Sequence, residues 1–321
     1  MMKRAASVLS SIVTAWAAVC ALTANAQDNP RYAFTQDYEP APALWELSDE
    51  DTTIYMLGTI HLLPEGFRWR NPQLDRIIET AETLVVETSD ADSAGAMDKI
   101  GPKIANFLQW RSPTSQQLSS GSQERWRQLV SQSGMPFDYV DSIPVMVALL
   151  GLGQAEVEGD PSSYEYGVET ILEREFAQTD RTVESIEDFG RVTYSLFRVN
   201  DADIVGELDM QLREWSGKPM DGLYDTALHD LTGEEYWEME HAWARGEVAD
   251  DFDLGFGAGK IGTAFREILL NRRNRQWAAW LEERLDQPGT VLLAVGAGHF
   301  EGPESLLVWL EQRGLKADRI N

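Results

Sequence analysis

Two stretches of this chain are apolar nearly throughout rather than on alternate residues: "TIYMLGTIH" at 53–61 and "TVLLAVGAGH" at 290–299. Runs this short, punctuated by glycine and rich in branched residues, suit strands covered on both faces. Strands of that kind belong to parallel sheets flanked by helices. Each run also ends in Gly-x-x-His, and these two motifs hold two of the chain's 4 histidines.

The surrounding sequence predicts the same class. Trp45 and Leu47 alternate with polar residues in a first strand, and an Asp-rich turn leads into the run ending at His61. Leu74, Ile77, Ile78 and Ala81 have helical spacing, and "TLVVE" is a short apolar strand ending at Glu87. Strand, loop, helix, strand is a βαβ unit, which implies parallel strands. Val168, Ile171, Leu172 and Phe176 mark a second helix, followed by the strand "TVESIE". "TAFREILLNRRNRQWAAWLEERL" reads as one long amphipathic helix before the second apolar run. A last helix has Pro303 near its start and Gly314 at its end, as helix-end chemistry prefers. The expected fold class is α/β, with a mixed, largely parallel sheet core built from N- and C-terminal βαβ-like units. Helical insertions fall at about 92–160 and 195–262 of a single domain spanning 27–321.

The first 26 residues are expected to lie outside that fold. "MMKR", a modest apolar stretch and "ANA" before Gln27 read as a signal peptide cut after Ala26. The expectation is a periplasmic or secreted protein. Val19 before Cys20 does not fit a lipoprotein signal. Cleavage would remove the only cysteine, so the mature chain has no disulfide, thiolate nucleophile or cysteine zinc site. Nothing after residue 26 is long and apolar enough to span a bilayer as a helix. The formal charge is −26, and loss of Lys3 and Arg4 would take it to −28. That balance argues against nucleic acid as a partner.

In a parallel sheet, functional side chains collect at the carboxyl ends of strands. His61 and His299 fall just past two such ends, Glu87 at a third, and Glu184 within "TVESIE". Imidazole and carboxylate together suit Zn, Mn or Co, and an open position on such a metal activates water. With 53 acidic residues, carboxylates near strand ends are also expected by chance. The basic cluster "NRRNRQW" at 271–277 is either an exposed helix face or the source of an arginine that holds a site carboxylate or an oxyanion. His229 and His241 do not form His-Glu-x-x-His and read as structural or surface residues. "GFGAGKIG" at 255–262 lacks the spacing and Ser/Thr of a phosphate loop and reads as a flexible loop, and there is no Gly-x-Ser-x-Gly elbow.

From about Trp45 to Ile320 the chain resembles the TraB/PrgY/GumN family, which includes the Tiki proteins and is related in fold to erythromycin esterase and the ChaN haem-binding proteins. The resemblance is carried by "WELSDEDTTIYMLGTIHLLP", "AETLVVET", "GVETILEREFAQTDRTVESIED", "AWARGE", "RNRQWAAWLEERL" and "VLLAVGAGHFEGPESLLVWLEQRGLKADRI". It implies an α/β core in which two Gly-x-x-His motifs face a shared site. Carried over by motif, the metal-binding histidines are His61 and His299 with Glu87, Glu184 is a second acidic candidate, and the Arg-Asn pair is Arg273 and Asn274. Tiki proteins are described as Mn- or Co-dependent proteases. Phe189 stands where many members carry Gln, so polar contacts there differ. The expected function is an exported metal-dependent hydrolase acting on a peptide or small molecule, with Glu184, Arg273 and Glu87 in the chemistry. The alternative is a non-enzymatic periplasmic ligand-binding or regulatory protein, with haem or peptide as examples of the ligand.

Overall fold

The structure is a computed structural model that describes residues 29–153, 159–217, 231–250, 252 and 254–321. The expected signal segment 1–26 and His229 lie outside the described residues. Among the described residues no helix is long and apolar enough to cross a membrane.

A six-stranded sheet organises the chain. Its strands are β1 (Leu44–Ser48), β2 (Thr52–Thr59), β4 (Thr83–Val86), β6 (Thr182–Ser185), β7 (Gly289–Gly296) and β8 (Asp318–Arg319), in the order β6-β4-β7-β2-β1-β8. A separate antiparallel pair is made by β3 (Leu63–Pro64) and β5 (Ser162–Ser163). β6, β4, β7 and β2 are parallel, and β1 turns back against β2. The expected βαβ unit is present, with helix α1 (Pro72–Thr80) joining β2 to β4. Asn71 caps that helix, its Oδ1 accepting from the Gln73 and Leu74 amides at 3.0 and 2.9 Å. The two strands of the unit are not neighbours, however. β7, from the far end of the chain, lies between them.

β7 alternates Leu292 and Ala294 into one apolar layer with Leu293 and Val295 into the other. On the first face lie α1 and helix α5 (Val168–Gln178), through Leu74, Ile77, Leu172 and Phe176. On the second lie helix α10 (Arg272–Leu285) and helix α11 (Leu306–Gln312), through Trp277, Leu281, Leu306 and Leu310. The predicted helical insertions pack mainly on one another in a third cluster that includes Trp126, Leu149, Leu208 and Phe265.

Two predicted elements differ. The stretch 255–262 is not loop throughout, because helix α9 (Lys260–Arg266) begins inside it. The long amphipathic helix is two α-helical pieces joined by a π-turn at Glu267–Asn271. A straight helix that buries Phe265 and Ile268 brings Arg272 to the same face. The wider turn leaves Arg272 half exposed and brings Asn274 and Trp277 inward.

α5 starts hard against the end of β2. The Val168 amide donates to the Ile60 carbonyl at 3.1 Å, and a Cβ on Gly167 would lie 2.0 Å from the His61 carbonyl oxygen. Gly167→Ala is therefore expected to destabilise by about 1–3 kcal/mol. Gly151→Ala, where the nearest atom lies 3.6 Å from the new Cβ, should be neutral or stabilising by up to about 1 kcal/mol. Urea melts of the two variants check the opposite signs.

Candidate functional site

β2 and β7 pair in parallel without slip from Thr52↔Gly289 to Thr59↔Gly296. The two Gly-x-x-His motifs therefore leave the sheet side by side. Each glycine makes room for the other motif. A Cβ on Gly58 would sit 3.0 Å from Ala297 Cα. A Cβ on Gly296 would sit 3.2 Å from Glu87 Oε1 and 3.8 Å from both His61 Nε2 and His299 Cδ2. His61, His299 and Glu87 thus converge on the bare face of Gly296, at the carboxyl ends of β2, β7 and β4.

Both imidazoles are held from behind. His61 Nδ1 lies 2.9 Å from Glu169 Oε1, and the Thr59 hydroxyl donates to the same oxygen. Glu169 sits in the first turn of α5, where the helix dipole favours a carboxylate. His299 Nδ1 lies 2.6 Å from Asn274 Oδ1. The Asn274 amide nitrogen donates to the Glu304 carbonyl at 2.8 Å, which turns its oxygen toward the ring. Nδ1 of His299 then carries the hydrogen, and Nε2 keeps a free lone pair. That Nε2 faces Glu87 Oε1 at 3.6 Å.

Arg273 ties the carboxylates together. Its guanidinium donates to Glu87 Oε2, and to Glu187 through Nε and Nη2 at 2.8 Å each. Trp277 Nε1 donates to Glu187 at 3.1 Å, and its ring packs on His299 with centroids 4.2 Å apart. Glu87 Oε1 also accepts from the Gly296 amide at 2.9 Å.

These contacts set the charges. Burial pushes the Glu87 pKa up, but Arg273, His61 and the Gly296 amide outweigh it and hold the carboxyl well below the usual range. Burial and the Arg273 charge push His299 down to about 3, against the pull of Glu87, so this ring is neutral. For His61, burial also works against the charge, but Glu169 and then Glu87 outweigh it and raise the pKa to about 9. The His61 side chain is 52 % exposed, so solvent screens part of that field. Burial raises the Glu187 pKa and Arg273 pulls it back.

Of the residues singled out in the sequence, the structure brings together His61, His299, Glu87, Arg273 and Asn274. It does not bring Glu184 to them. Glu184 stands exposed on edge strand β6 and forms no hydrogen bond or ion pair with either histidine. The acid from that strand end is Glu187, three residues later. Glu169 and Glu187 were missed because first-turn and strand-end acids are unremarkable in so acidic a chain. The clue to Glu187 was the Arg273–Trp277 spacing, one helical turn of donors that needed a partner. His241 is buried, with Nδ1 2.6 Å from the Tyr38 hydroxyl, and takes no part here.

Among the described residues no group of three or more His, Cys, Asp or Glu side chains is arranged to hold a metal ion. The donor chemistry itself suits one. Both rings have Nδ1 engaged and Nε2 turned to the Gly296 face, as outer partners impose on metal-binding histidines. His299 Nε2 and Glu87 Oε1 are two acceptors that face each other without a hydrogen between them, an arrangement that a cation relieves.

The sequence model of the TraB/PrgY/gumN family matches residues 43–319. No curated protein and no solved structure matches.

Three outcomes follow from the charges. His61 should titrate near 9 by NMR, and Glu169→Gln should return it toward 6.5. Its contribution to stability is full below about 6.5 and is lost as pH rises through about 9. His299 acts the other way. Its contribution is full above about 6.5 and is lost as pH falls toward 3, because the unfolded chain takes up the proton first. Arg273→Ala strands two largely buried carboxylates and should cost about 3–5 kcal/mol in a urea melt.

Proposed function

Because the chain belongs to the TraB/PrgY/gumN family, we propose that it is an exported metal-dependent hydrolase, a peptidase in its most direct reading, working at the Gly296 face. The observation that carries this is the meeting of His61, His299 and Glu87 around one glycine, from opposite ends of the chain. His61, His299 and Glu87 would hold a divalent ion, Mn, Co or Zn. Such an ion supplies Lewis acidity and a bound water acidic enough to ionise near neutral pH.

The remaining residues have defined parts. Glu169 orients His61 and takes up the hydrogen bond from Nδ1 when the ring gives up its other proton. Asn274 fixes the tautomer that leaves His299 Nε2 free. Arg273 is kept charged and immobile by Glu187, beside the place where negative charge would develop on a tetrahedral intermediate. A single donor in that position is worth roughly 10²–10³ in rate. Glu184, on the exposed edge, would have no part in the chemistry.

A second reading is favoured by a specific observation. Arg273 already pairs with both Glu87 and Glu187, and no three-donor set stands ready among the described residues. On that reading the protein binds haem or a peptide without turnover.

Elemental analysis and calorimetry of the purified mature protein decide between them. The hydrolase reading expects one Mn, Co or Zn ion per chain, lost in His61→Ala and His299→Ala. It also expects proton release on binding and apparent affinity that climbs with pH up to about 9, as the ion displaces the His61 proton. Failure of all three metals to bind at micromolar levels, with every activity intact in His299→Ala, would sink it.

A further inference from the structure

His241 has partners of its own, none of which belongs to the Gly296 face. It lies in the helix Glu238–Ala244 and is 3 % exposed. Phe34, Tyr38 and Phe67 stand round its ring, with centroids 5.4–6.1 Å away. Its Nδ1 is 2.6 Å from the Tyr38 hydroxyl, and Glu234 Oε2 stands 3.2 Å from Nε2 without hydrogen-bond alignment. Glu234 is held from the other side, its Oε1 accepting from the Thr35 amide and hydroxyl at 2.8 Å each. A phenol, an imidazole and a carboxylate therefore follow one another in contact.

The direction of the hydrogen bonds follows from Gln36. Its Oε1 accepts from the Arg68 amide at 2.7 Å and its Nε2 donates to the Arg68 carbonyl at 2.9 Å, which fixes the side-chain amide. The same Nε2 is 3.2 Å from the Tyr38 oxygen, so that oxygen accepts a hydrogen from Gln36. The phenol proton is then the one shared with His241, and Nδ1 is its acceptor. That tautomer carries its own hydrogen on Nε2, facing Glu234. Burial lowers the His241 pKa and Arg245 adds to the fall, against Glu234 and Glu238, so the ring is neutral and can take a proton. The Arg245 guanidinium lies 5.7 Å from the centre of the Tyr38 ring and, with Gln36, favours a phenolate. Tyr38 is only half-buried, and its oxygen keeps one lone pair uncommitted.

We propose that Tyr38 is a nucleophile with His241 as its base, and that this centre accepts an acyl group from an activated ester. The Tyr38 oxygen attacks the ester carbonyl, the bond from that carbon to the departing oxygen breaks, and the phenol proton passes to His241 Nδ1. From there the proton goes to the departing oxygen or to water, which leaves a neutral ring and an O-acyl tyrosine. Glu234 is a positioning residue, which favours the Nε2–H tautomer and steadies the imidazolium as it forms. A base placed in this way contributes about 10²–10⁴-fold in rate. Nothing here draws on the metal-dependent hydrolase reading, and the two stand or fall separately.

The test treats the full mature chain with 4-nitrophenyl acetate and follows acetyl groups on each tyrosine over time by peptide mass spectrometry. Tyr164, 44 % exposed, is the internal reference for access alone. Tyr38 should be acetylated on the order of 10²-fold faster than Tyr164 in the folded chain, and at a similar rate to it in urea. His241→Gln, and Glu234→Gln at a position 55 % exposed, should each slow Tyr38 by on the order of 10-fold and leave Tyr164 unchanged. A substitution that only loosened the fold would raise labelling at Tyr38 together with the buried Tyr32 and Tyr236, so a selective fall at Tyr38 reports the lost base. Acetylation of Tyr38 no faster than Tyr164, or undiminished in either variant, overturns the proposal. Tyr38 is then a structural tie between the segment before β1 and the His241 helix.

Discussion

The pairing of β2 with β7 is the contact on which the rest of the molecule depends. Eight residues from near the start of the chain run beside eight from near its end, in parallel and without slip. A shift of one residue would exchange the two faces of one strand. Leu293 and Val295 would then leave the Trp277 layer. The Gly58 gap would no longer meet Ala297, and the Gly296 gap would no longer meet His61. Apolar layering and site geometry are therefore fixed by one register. The glycines of the two motifs serve less as hinges than as reciprocal clearances.

Above that register the site is governed by desolvated charge. Arg273 joins Glu87 to Glu187, and none of the three side chains is more than one-fifth exposed. Such a cluster is costly to assemble from water and far costlier to leave incomplete. It holds Glu87 ionised and His299 neutral, while Glu169 favours the charged form of His61. Two histidines drawn from the same short motif thus end in opposite protonation states. The difference comes from their second partners, a carboxylate for one and an amide for the other.

Much of this was legible in the sequence. Apolar runs with glycine ends revealed the buried parallel strands, and the scarcity of histidine made His61 and His299 conspicuous. Glu87 followed from strand-end logic. Glu187 did not, because its partner Arg273 is 86 residues away and one acid among many carries no local mark. Glu169 looked like an ordinary first-turn acid, and only the contact between α5 and the His61 loop gives it a partner. The π-turn was hidden because its two helical pieces each have good 3.6-residue spacing, and the slip between them shows only in which arginine reaches the sheet. Strand order was hidden too. Local pattern predicts a βαβ unit but not that a third strand divides it.

That divided unit bears on how the protein is made. β7 lies inside the set of parallel strands yet follows β2, β4 and β6 in the chain. Until residue 296 has emerged, β2 and β4 have a strand-wide gap between them, and their backbone donors and acceptors along that gap have no mates. A nascent chain of this topology cannot settle into its sheet early, whatever its local helices do. Its parallel strands stay divided until β7 arrives, and that one strand closes the gap and brings the two histidines together.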